Sequence, residues 1–427
     1  MSRKIAFKTL GCRLNQFETD SLASEFHNAG YELVAFEDKA DVYVVNTCTV
    51  TNQSDKKSRN QINNASQKPG DSLVVVTGCM VNSQKEALES NASTYFVEND
   101  RKTSIFPMVE AHYKGEILHP NNLDSDVFNY KPADTTFHTR SLIKIQDGCD
   151  NFCTFCIVPF VRGRAISRPF EKIHENIRQV LDYGYREIVL TGVNIGRYDL
   201  DGTNFESLVE KVLDIPGDFR VRISSIEPDG YGDRFIELFQ HPKLMPHLHL
   251  CLQSGSDPVL LRMRRMYSLS EFKDIVNKIR GKHPDFNLTT DIIVGFPGET
   301  EEDFKATCDV VKEIGFSHIH TFKYSRRKGT RADRMPGQVS EKIKTERSEI
   351  IRGIAEEYKR KYRTSLIGST EMVLVEKVKD GLARGYGEHY VPIRFKSEEA
   401  EKNGIYPVLL SGIEKGEDPD LAGEISF

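Results

Sequence analysis

The 427-residue sequence has no apolar run long enough to cross a bilayer and no low-complexity tract. Near its start, Lys8 and Arg13 interrupt any apolar core of the kind that signal peptides contain. The formal net charge is −5, so no overall excess of positive charge indicates binding to nucleic acid. We therefore expect a globular, cytoplasmic protein without a membrane partner, and its length predicts about three domains.

Eight cysteines are present, and in a reducing compartment they indicate metal binding or catalysis rather than disulfides. Cys149, Cys153 and Cys156 lie together in the run CDNFCTFC. Three thiolates on one loop suit an iron–sulfur cubane, in which three protein ligands leave one iron open. Structural zinc is the less favoured alternative, because it needs four ligands and no fourth Cys or His lies nearby in the sequence.

The first 115 residues alternate short apolar strands with helical patterns, which predicts a doubly wound parallel sheet in an α/β fold. The strands IAFKTL, VYVVNT and LVVVTG are followed by helices from about Asn15 to Asn28, after Thr51 and after Asn82. A cysteine follows each strand, namely Cys12, Cys48 and Cys79. The carboxyl ends of parallel strands share one edge, so these thiols should converge as a second metal site. Alternatively, each is a small buried apolar residue.

Six strand candidates separated by helices follow between residues 140 and 335, and they predict an incomplete parallel (β/α)6 barrel. The CDNFCTFC loop follows the first of these strands, at the face where such barrels place their active sites. A charged helix is predicted from Ser340 to Arg363, with Ile343, Ile350, Ile351 and Ile354 on one side and Gly368 to stop it. The remainder reads as a small all-β module that serves either packing or RNA contact.

Several runs together resemble the methylthiotransferases of the radical SAM superfamily along nearly the whole chain: TLGCRLNQFETD, NTCTVT, TGCM, CDNFCTFCIVPFVRGR, LQSGSD, MRRMYS, DIIVGFPGET and YSRRKGT. The resemblance implies an auxiliary-cluster domain over 1–115, a linker over 116–139, a radical SAM partial barrel with its C-terminal helix over 140–368, and a TRAM-like RNA-binding barrel over 369–427. It implies two [4Fe–4S] clusters and S-adenosylmethionine (SAM). The SAM cluster would use Cys149, Cys153 and Cys156, and the auxiliary cluster Cys12, Cys48 and Cys79.

Within this family, TLGCRLNQFE and NTCTVTNQSDKKSR most resemble the branch that modifies N6-threonylcarbamoyladenosine beside the tRNA anticodon, at position 37. The implied reaction uses one SAM to methylate sulfur at the auxiliary cluster and a second SAM to generate the radical that activates adenine C2. A flavodoxin- or ferredoxin-type electron donor is implied, and the sulfur donor is left open. Alternatives are the isopentenyladenosine and ribosomal-protein branches, an enzyme whose second cluster only relays electrons, and a zinc-stabilised RNA-binding protein.

The resemblance also assigns residues to SAM, some at the ends of barrel strands and one, Phe155, in the cluster loop. They are Phe155, Thr191, Gly192, Ser224, Ser225, Glu227, Gln253, Ile293 and Gly295. By position alone, Ser224, Ser225 and Glu227 are as readily ordinary polar residues at a strand end. The second strand ends in LTGVN rather than in the Gly-Gly-Glu of many radical SAM enzymes, which leaves the ligand of the SAM amino group open. Cys251 and Cys308 are interpreted as packing residues.

Local basic stretches must supply any contact with RNA phosphates, since the net charge does not. Residues 323–363 contain 14 Lys or Arg against 6 Asp or Glu, although a solvated helix face explains much of the second half. Three arginines directly follow the cluster loop, namely Arg162, Arg164 and Arg168. The predicted RNA contacts are Arg162, Arg164, Arg326, Arg327, Lys328 and Arg331.

Overall fold

The computed structural model describes residues 2–68, 70–84, 88, 94–119, 122–123, 125–134, 139–416 and 419–426. The predicted mixed α/β class is confirmed. Parts of the predicted linker 116–139 lie outside the described residues. None of the helices in the described part of the chain has both the length and the apolar character that a membrane crossing requires.

The N-terminal elements form a five-stranded, fully parallel sheet in the order β2-β1-β3-β4-β5. Its strands are β1 (Lys4–Thr9), β2 (Glu32–Val34), β3 (Val42–Thr47), β4 (Leu73–Gly78) and β5 (Thr94–Val97). The helices are α1 (Arg13–Asn28), α2 (Asn52–Ser66), α3 (Cys79–Gln84) and α4 (Ile105–Tyr113), with a 3-10 helix over Asn99–Ser104. Apolar clusters cover both faces of this sheet, so β3 and β4 are buried along their whole length.

The three predicted strands correspond to β1, β3 and β4, whereas the short edge strands β2 and β5 were not predicted. The helix predicted after Asn82 begins earlier, at Cys79. Most of the remaining segment predicted for that helix, from residue 85 onward, lies outside the described residues.

Six parallel strand positions follow in chain order and pair in two sheets, β6-β9-β12 and β13-β14-β15-β16. Ser224 alone separates β12 from β13, so one extended segment belongs to both sheets. The strands are β6 (Ser141–Lys144), β9 (Glu187–Thr191), β12 (Arg220–Ile223), β13 (Ser225–Ile226), β14 (His247–Leu250), β15 (Asn287–Val294) and β16 (His318–Lys323). The connections between these strands contain two short antiparallel strand pairs: β7 (Gln146–Asp147) with β8 (Ile166–Ser167), and β10 (Asp199–Leu200) with β11 (Thr203–Asn204).

Helices pack on the outside of these strands and enclose the largest apolar core of the described chain. They are α6 (Phe170–Asp182), α7 (Phe205–Leu213), α8 (Asp233–Leu238), α9 (Asp257–Met263), α10 (Leu269–Lys282) and α11 (Glu301–Ile314). The short helix α5 (Val158–Arg162) instead packs against α3. Short 3-10 turns occupy Ile195–Arg197 and Ala332–Arg334. In α6, Ile173, Ile177 and Val180 recur at helical spacing and are buried, which explains how this helix docks.

The long helix α12 (Glu341–Ser365) begins at Ser340, whose side chain accepts the backbone N–H of Ile343. Its predicted apolar side is only half right, because Ile343 and Ile350 are 40% and 50% exposed. Ile351 and Ile354 are buried as predicted. The helix ends before Gly368, which has φ +91° and turns the chain toward the C-terminal strands.

The last five strands form a closed barrel in the order β17-β18-β19-β21-β20. They are β17 (Thr370–Lys379), β18 (Leu382–Tyr386), β19 (Pro392–Lys396), β20 (Ile405–Ile413) and β21 (Leu421–Ile425). All neighbours are antiparallel except β19 and β21. The run LARGYGEHYVPIRF forms β18 and β19, with a turn between them whose Gly387 carbonyl accepts a hydrogen bond from Arg222 of β12.

Candidate active site

The loop that carries Cys149, Cys153 and Cys156 is fixed by backbone hydrogen bonds at both ends. Cys149 donates its N–H to the carbonyl of Gly163 at 3.2 Å, and Cys156 donates to Cys153 at 3.0 Å. Gly148, just before the loop, has φ +69°, and a Cβ there would collide with the carbonyl of Arg164. Only glycine fits this position, so the sequence allows the first cysteine to approach the returning chain closely.

The three thiols of this loop are close enough to oppose one another's ionisation. Burial raises the pKa of Cys153 to about 11, and burial together with the neighbouring thiols raises the pKa of Cys156 to about 12. Burial likewise raises the pKa of Cys149. Buried, mutually repelling soft ligands favour a bound metal, because its positive charge reverses these shifts and stabilises the thiolates. The donor set therefore fits an iron–sulfur cluster.

Polar side chains from three further segments surround these thiols. Arg265 lies with its Nη1 3.3 Å from the Cys153 sulfur and 2.9 Å from a Glu227 oxygen. Asn151 donates to the second Glu227 oxygen at 2.8 Å, and Asn194 points at the Cys149 sulfur at 3.9 Å. This arrangement places predicted SAM residue Glu227 beside the cysteine loop and holds it there from two sides.

The three N-terminal cysteines follow β1, β3 and β4 and converge at one edge of the sheet. A Cβ on Gly11 would lie 2.9 Å from the Cβ of Cys48, which shows how closely the Cys12 loop approaches it. Burial, with further contributions from Cys79 and Cys12, raises the pKa of Cys48. Cys48 and Cys79 are buried, whereas Cys12 is exposed. This second thiol group also fits a cluster, with Cys12 on its open side.

The two cysteine groups approach each other where α3 meets α5. Cys79, the first residue of α3, packs against Ile157 and Val161, which lie one and five residues after Cys156. Asn99 joins the same contact, since its amide lies 3.7 Å from the Cys79 sulfur and donates to the Val161 carbonyl at 2.8 Å. The N-terminal and central elements are thus joined beside Cys79 of one group and just after Cys156 of the other.

A buried network of charged side chains lies next to the contact between α3 and α5. Arg162 donates to Glu18 at 3.0 Å, to Asp147 at 3.1 Å and to Asn15 at 2.6 Å. Lys102 also pairs with Glu18, and Lys144 pairs with Glu18 at 3.2 Å and with Asp147 at 2.7 Å. Although burial favours the neutral carboxyl, these three cations hold the pKa of Glu18 well below its usual range. The network carries one more positive than negative charge next to the auxiliary thiols.

Arg162 is therefore not an RNA contact, and that prediction is wrong. Its side chain is 2% exposed and fully engaged with Glu18, Asp147 and Asn15. Arg327 is wrong for the same reason, because it is 7% exposed and pairs with Asp55 at 2.8 Å. Arg168 is buried as well and donates to Asn176.

The remaining predicted RNA residues are exposed. Arg164 is 78% exposed and pairs with Asp150 at 2.6 Å, and Arg326 is 57% exposed and pairs with Asp333. Lys328 and Arg331 are also exposed. A phosphate could compete for each of these groups at the surface, whereas it could not reach the buried three.

A cavity of about 770 Å³ lies between the start of α1, the central strands, α12 and the C-terminal barrel. Cys12 opens onto it, together with Thr191, Gly192, Ser224 and Ser225 of the predicted SAM set. Its opposite wall includes Tyr386 and Tyr390 of the β18–β19 region. The cavity therefore joins one auxiliary thiol, the strand ends and a wall supplied by the C-terminal barrel.

The other predicted SAM residues lie outside the lining of this cavity among the described residues. Phe155 and Ile293 pack in one small apolar cluster, in which the Phe155 and Phe296 rings are 6.4 Å apart. Gln253 has φ +68° and accepts the N–H of Ile293 at 2.9 Å. Gly295 lies against Lys344 of α12, and its N–H donates to Glu299 at 2.8 Å.

Cys251 and Cys308 are both buried, as expected for packing residues. Cys251 nevertheless has polar neighbours, because its sulfur lies 3.8 Å from an oxygen of Asp291. His249 pairs with the same carboxylate at 3.2 Å, so these three side chains form a polar cluster on the central strands.

In a comparison with known proteins, two family models match the N-terminal elements and the central elements separately. The model described as the uncharacterized protein family UPF0004 matches residues 4–97, and that of the radical SAM superfamily matches residues 143–311. The threonylcarbamoyladenosine tRNA methylthiotransferase MtaB of Bacillus subtilis is 39% identical over 411 residues, covering 92% of this chain and 91% of the relative. This chain belongs to the radical SAM methylthiotransferases. It is accordingly a transferase, and an iron–sulfur cluster and SAM belong to its chemistry.

Further methylthiotransferases agree with this assignment. MtaB of Thermotoga maritima is 37% identical and covers 92% of this chain and 91% of the relative. The tRNA-2-methylthio-N(6)-dimethylallyladenosine synthase of Fusobacterium nucleatum is also 37% identical, with 81% and 82% covered. Among solved structures, TsrM of Kitasatospora setae, with cobalamin and a [4Fe-4S] cluster bound, has a TM-score of 0.53 at 13% identity over 90% of this chain and 81% of that chain. That likeness concerns the fold alone.

Several residues of this methylthiotransferase site were missed by the sequence analysis. Arg265 lies in the run MRRMYS, which was recognised as a motif but given no role, although its guanidinium contacts Cys153 and Glu227. Asn194 lies in the run LTGVN, which had been noted only as a departure. Arg13, Arg140 and Tyr390 line the cavity from three separate segments, and no sequence signal joined them.

Proposed function

We propose that this methylthiotransferase converts N6-threonylcarbamoyladenosine at position 37 of tRNA to its 2-methylthio derivative. The observation that carries the proposal is the packing of Cys79, from one cysteine triad, against Ile157 and Val161, which follow the other triad in the chain, with Cys12 open to the cavity lined by the strand ends. One buried thiol group suits SAM activation, and a second beside the substrate space suits sulfur transfer. The names of the MtaB relatives supply the substrate.

In this proposal two [4Fe–4S] clusters are held, one by Cys149, Cys153 and Cys156 and the other by Cys12, Cys48 and Cys79. When bound, these groups supply reductive SAM cleavage and a platform for sulfur. The chain itself orients them: Gly148 lets the SAM-cluster loop pass close to Arg164, and Arg265 fixes Glu227 beside Cys153. The positive excess of the Glu18–Arg162 network stabilises thiolates at the auxiliary site.

For SAM, we propose contacts from the strand ends and the cluster loop. Thr191, Gly192, Ser224 and Ser225 face the cavity, so their hydroxyl and backbone groups are available to a polar cofactor. Glu227 presents a carboxylate that suits the amino group of SAM, the ligand that the LTGVN departure left open. Phe155 and Ile293, with Gln253 and Gly295 nearby, would form the apolar side near the adenine.

The proposed architecture is a doubly wound auxiliary-cluster domain over 1–115, a linker over 116–139, a radical SAM partial barrel over 140–368 and a TRAM-like barrel over 369–427. The six consecutive parallel strands and the closed C-terminal barrel support it. Exposed Arg164, Arg326, Lys328 and Arg331 would contact tRNA phosphates. A flavodoxin- or ferredoxin-type electron donor and a cytoplasmic location stay predictions.

Nucleoside analysis of tRNA tests the substrate. Deleting the gene should remove the methylthio-threonylcarbamoyl nucleoside, and a plasmid copy should restore it. A Cys48→Ala copy should fail to restore it, whereas Cys308→Ala, which removes a buried thiol on α11 far along the chain from both triads, should succeed. Loss of only the methylthio-isopentenyl nucleoside, or of a modified ribosomal-protein aspartate, would move the chain to a sister branch.

Absorption of the anaerobically purified protein tests the alternative of a zinc-stabilised RNA-binding protein. Broad brown absorption with stoichiometric iron supports the enzyme, since iron–sulfur charge transfer causes it. A colourless protein that contains zinc in proportion to the chain would support the binding protein and refute the proposed chemistry.

A further inference from the structure

Arg13 lies at the point where the auxiliary site meets the cavity. It directly follows Cys12, begins α1 and lines the cavity together with that cysteine. Its side chain is only partly buried. One guanidinium nitrogen donates to the Tyr390 hydroxyl at 3.1 Å, and the guanidinium carbon lies 5.6 Å from the centre of the Tyr390 ring.

The other two guanidiniums around Tyr390 already have carboxylate partners. Arg140 pairs with Glu187 at 3.0 Å and also with Glu376. Arg222 pairs with Glu187 at 2.8 Å, and the carbonyls between β18 and β19 accept its remaining N–H groups. These two cations are thus neutralised by side chains of the protein.

Arg13 differs from them, because no carboxylate in the described part of the chain forms an ion pair with it. Among the described residues, its one side-chain hydrogen bond goes to the Tyr390 hydroxyl. The other N–H donors of this cavity-lining guanidinium are therefore available. Asp291, a carboxylate that also lines the cavity, is paired with His249 at 3.2 Å. The positive charge of Arg13, at the Cys12 side of the cavity, is therefore available to bind an external anion.

The chemistry of the base places an anion near this point. C2 and N6 of adenine flank N1 on the same edge of the ring, so a base that presents C2 toward Cys12 also directs its N6 substituent toward that side. The threonylcarbamoyl substituent ends in a carboxylate, whereas the isopentenyl substituent is apolar. A partly buried guanidinium suits the first group and leaves the second without a favourable partner.

We propose that Arg13, held by Tyr390, binds the carboxylate of the N6-threonylcarbamoyl group and so selects the substrate. The inference rests on the proposed function and adds the residue that discriminates. Tyr390 belongs to the turn between β18 and β19 and has φ +59°, which the hydrogen bonds of that turn maintain. The C-terminal barrel thus takes part in recognition of the modified base through one side chain.

The test compares wild type, Arg13→Gln, Arg13→Lys and the control Arg234→Gln in the reconstituted holoenzyme. Arg234 is an exposed arginine of α8 that pairs with Glu210 and does not line the cavity. Each protein is given tRNA that carries the threonylcarbamoyl group and the same tRNA with that carboxylate blocked as its methyl ester. Iron content and the KM for SAM are measured beside the KM and kcat for tRNA.

Arg13→Gln should raise the KM for the acid form roughly tenfold to a hundredfold, the range typical of one charged hydrogen-bonded contact. Its KM for the ester should stay close to that of wild type, because the ester cannot use the charge. Arg13→Lys should recover part of the affinity, since it keeps the charge but not the planar fork. Arg234→Gln should match wild type on both substrates.

Three results would overturn the inference. An equal loss on acid and ester would show that Arg13 binds a backbone phosphate, and a raised KM for SAM would assign it to the carboxylate of SAM. An unchanged KM for the acid form in Arg13→Gln would show that the charge has no role in binding. Failure of wild type itself to modify the threonylcarbamoyl tRNA would instead refute the proposed function, so the two failures are distinguishable.

Discussion

Arg162 and Arg164 are two residues apart and of the same type, yet the structure gives them opposite roles. Arg162 is 2% exposed and bonded to Glu18, Asp147 and Asn15 inside the contact between the N-terminal and central elements. Arg164 is 78% exposed and pairs with Asp150. Replacing each by alanine should therefore affect different properties, stability in one case and RNA affinity in the other.

Removing one partner of a buried ion pair costs about 3–5 kcal/mol, because the other charge stays buried and uncompensated. Here Lys102 and Lys144 remain beside Glu18 and Asp147, so we expect Arg162→Ala to lie near the lower end, about 3 kcal/mol. For a cooperative unit of about 150–250 residues, a loss of about 3 kcal/mol in the free energy of unfolding corresponds to a fall in Tm of roughly 6 °C or more. An exposed pair contributes little to stability, so Arg164→Ala should leave Tm nearly unchanged.

Thermal unfolding of the anaerobically reconstituted proteins measures the first effect, and tRNA binding over a series of salt concentrations measures the second. Each lost phosphate contact should reduce the slope of log K against log salt by about 1, which we expect for Arg164→Ala alone. The reasoning fails if Arg162→Ala keeps the wild-type Tm and instead loses salt-dependent tRNA affinity. That outcome would mean that Arg162 leaves its buried partners to meet RNA.

Three further expectations concern the six cysteines, Gly148 and Asp20. Alanine at Cys149, Cys153 or Cys156 should abolish reductive SAM cleavage, whereas alanine at Cys12, Cys48 or Cys79 should spare some cleavage but end methylthio transfer. Each single substitution should remove about half of the iron. Full formation of the methylthio product by Cys48→Ala would contradict the role of the second cluster in sulfur transfer. Gly148→Ala should lose the SAM-cluster iron because its Cβ meets the Arg164 carbonyl. The control Gly281→Ala, in α10 with open space around the added Cβ, should retain it, and equal iron in both would contradict the packing argument. Burial raises the pKa of Asp20 to about 7, so the folded state binds this proton more strongly than the unfolded chain, and the stability that the proton provides is lost as pH rises toward 7. Asp20→Asn should therefore raise Tm more at pH 8 than at pH 6. A gain in Tm that does not depend on pH would show that Asp20 does not titrate in this range.

The sequence predicted the convergence of cysteines because strand direction alone determines it. Once β1, β3 and β4 are parallel, Cys12, Cys48 and Cys79 must share one edge, whatever the side-chain packing. The spacing of the other triad lies within one loop and needs no tertiary information. Both thiol groups were therefore accessible to sequence analysis.

Burial of charged residues was not accessible in the same way. Between Arg162 and Arg164, Gly163 has φ +79° and reverses the direction of the chain, so two like residues face opposite environments. On α12 the sequence favoured an isoleucine stripe, yet Lys344 and Arg347 are buried while Ile343 and Ile350 are exposed. Arg347 reaches Glu299 at 2.8 Å, a partner from another element that no local pattern contains.

The role of the C-terminal barrel follows from its contacts with the central strands. Sequence analysis left open whether this module packs or contacts RNA, but the two roles are not exclusive. Glu376 of β17 neutralises Arg140, and the carbonyls of Gly387 and Glu388 accept hydrogen bonds from buried Arg222. Deleting the module would leave both guanidiniums without part of their partners beside the cavity, at the cost of desolvated charge. A truncated protein would therefore lose stability and pocket wall together, and only single substitutions in the β18–β19 turn can separate packing from recognition.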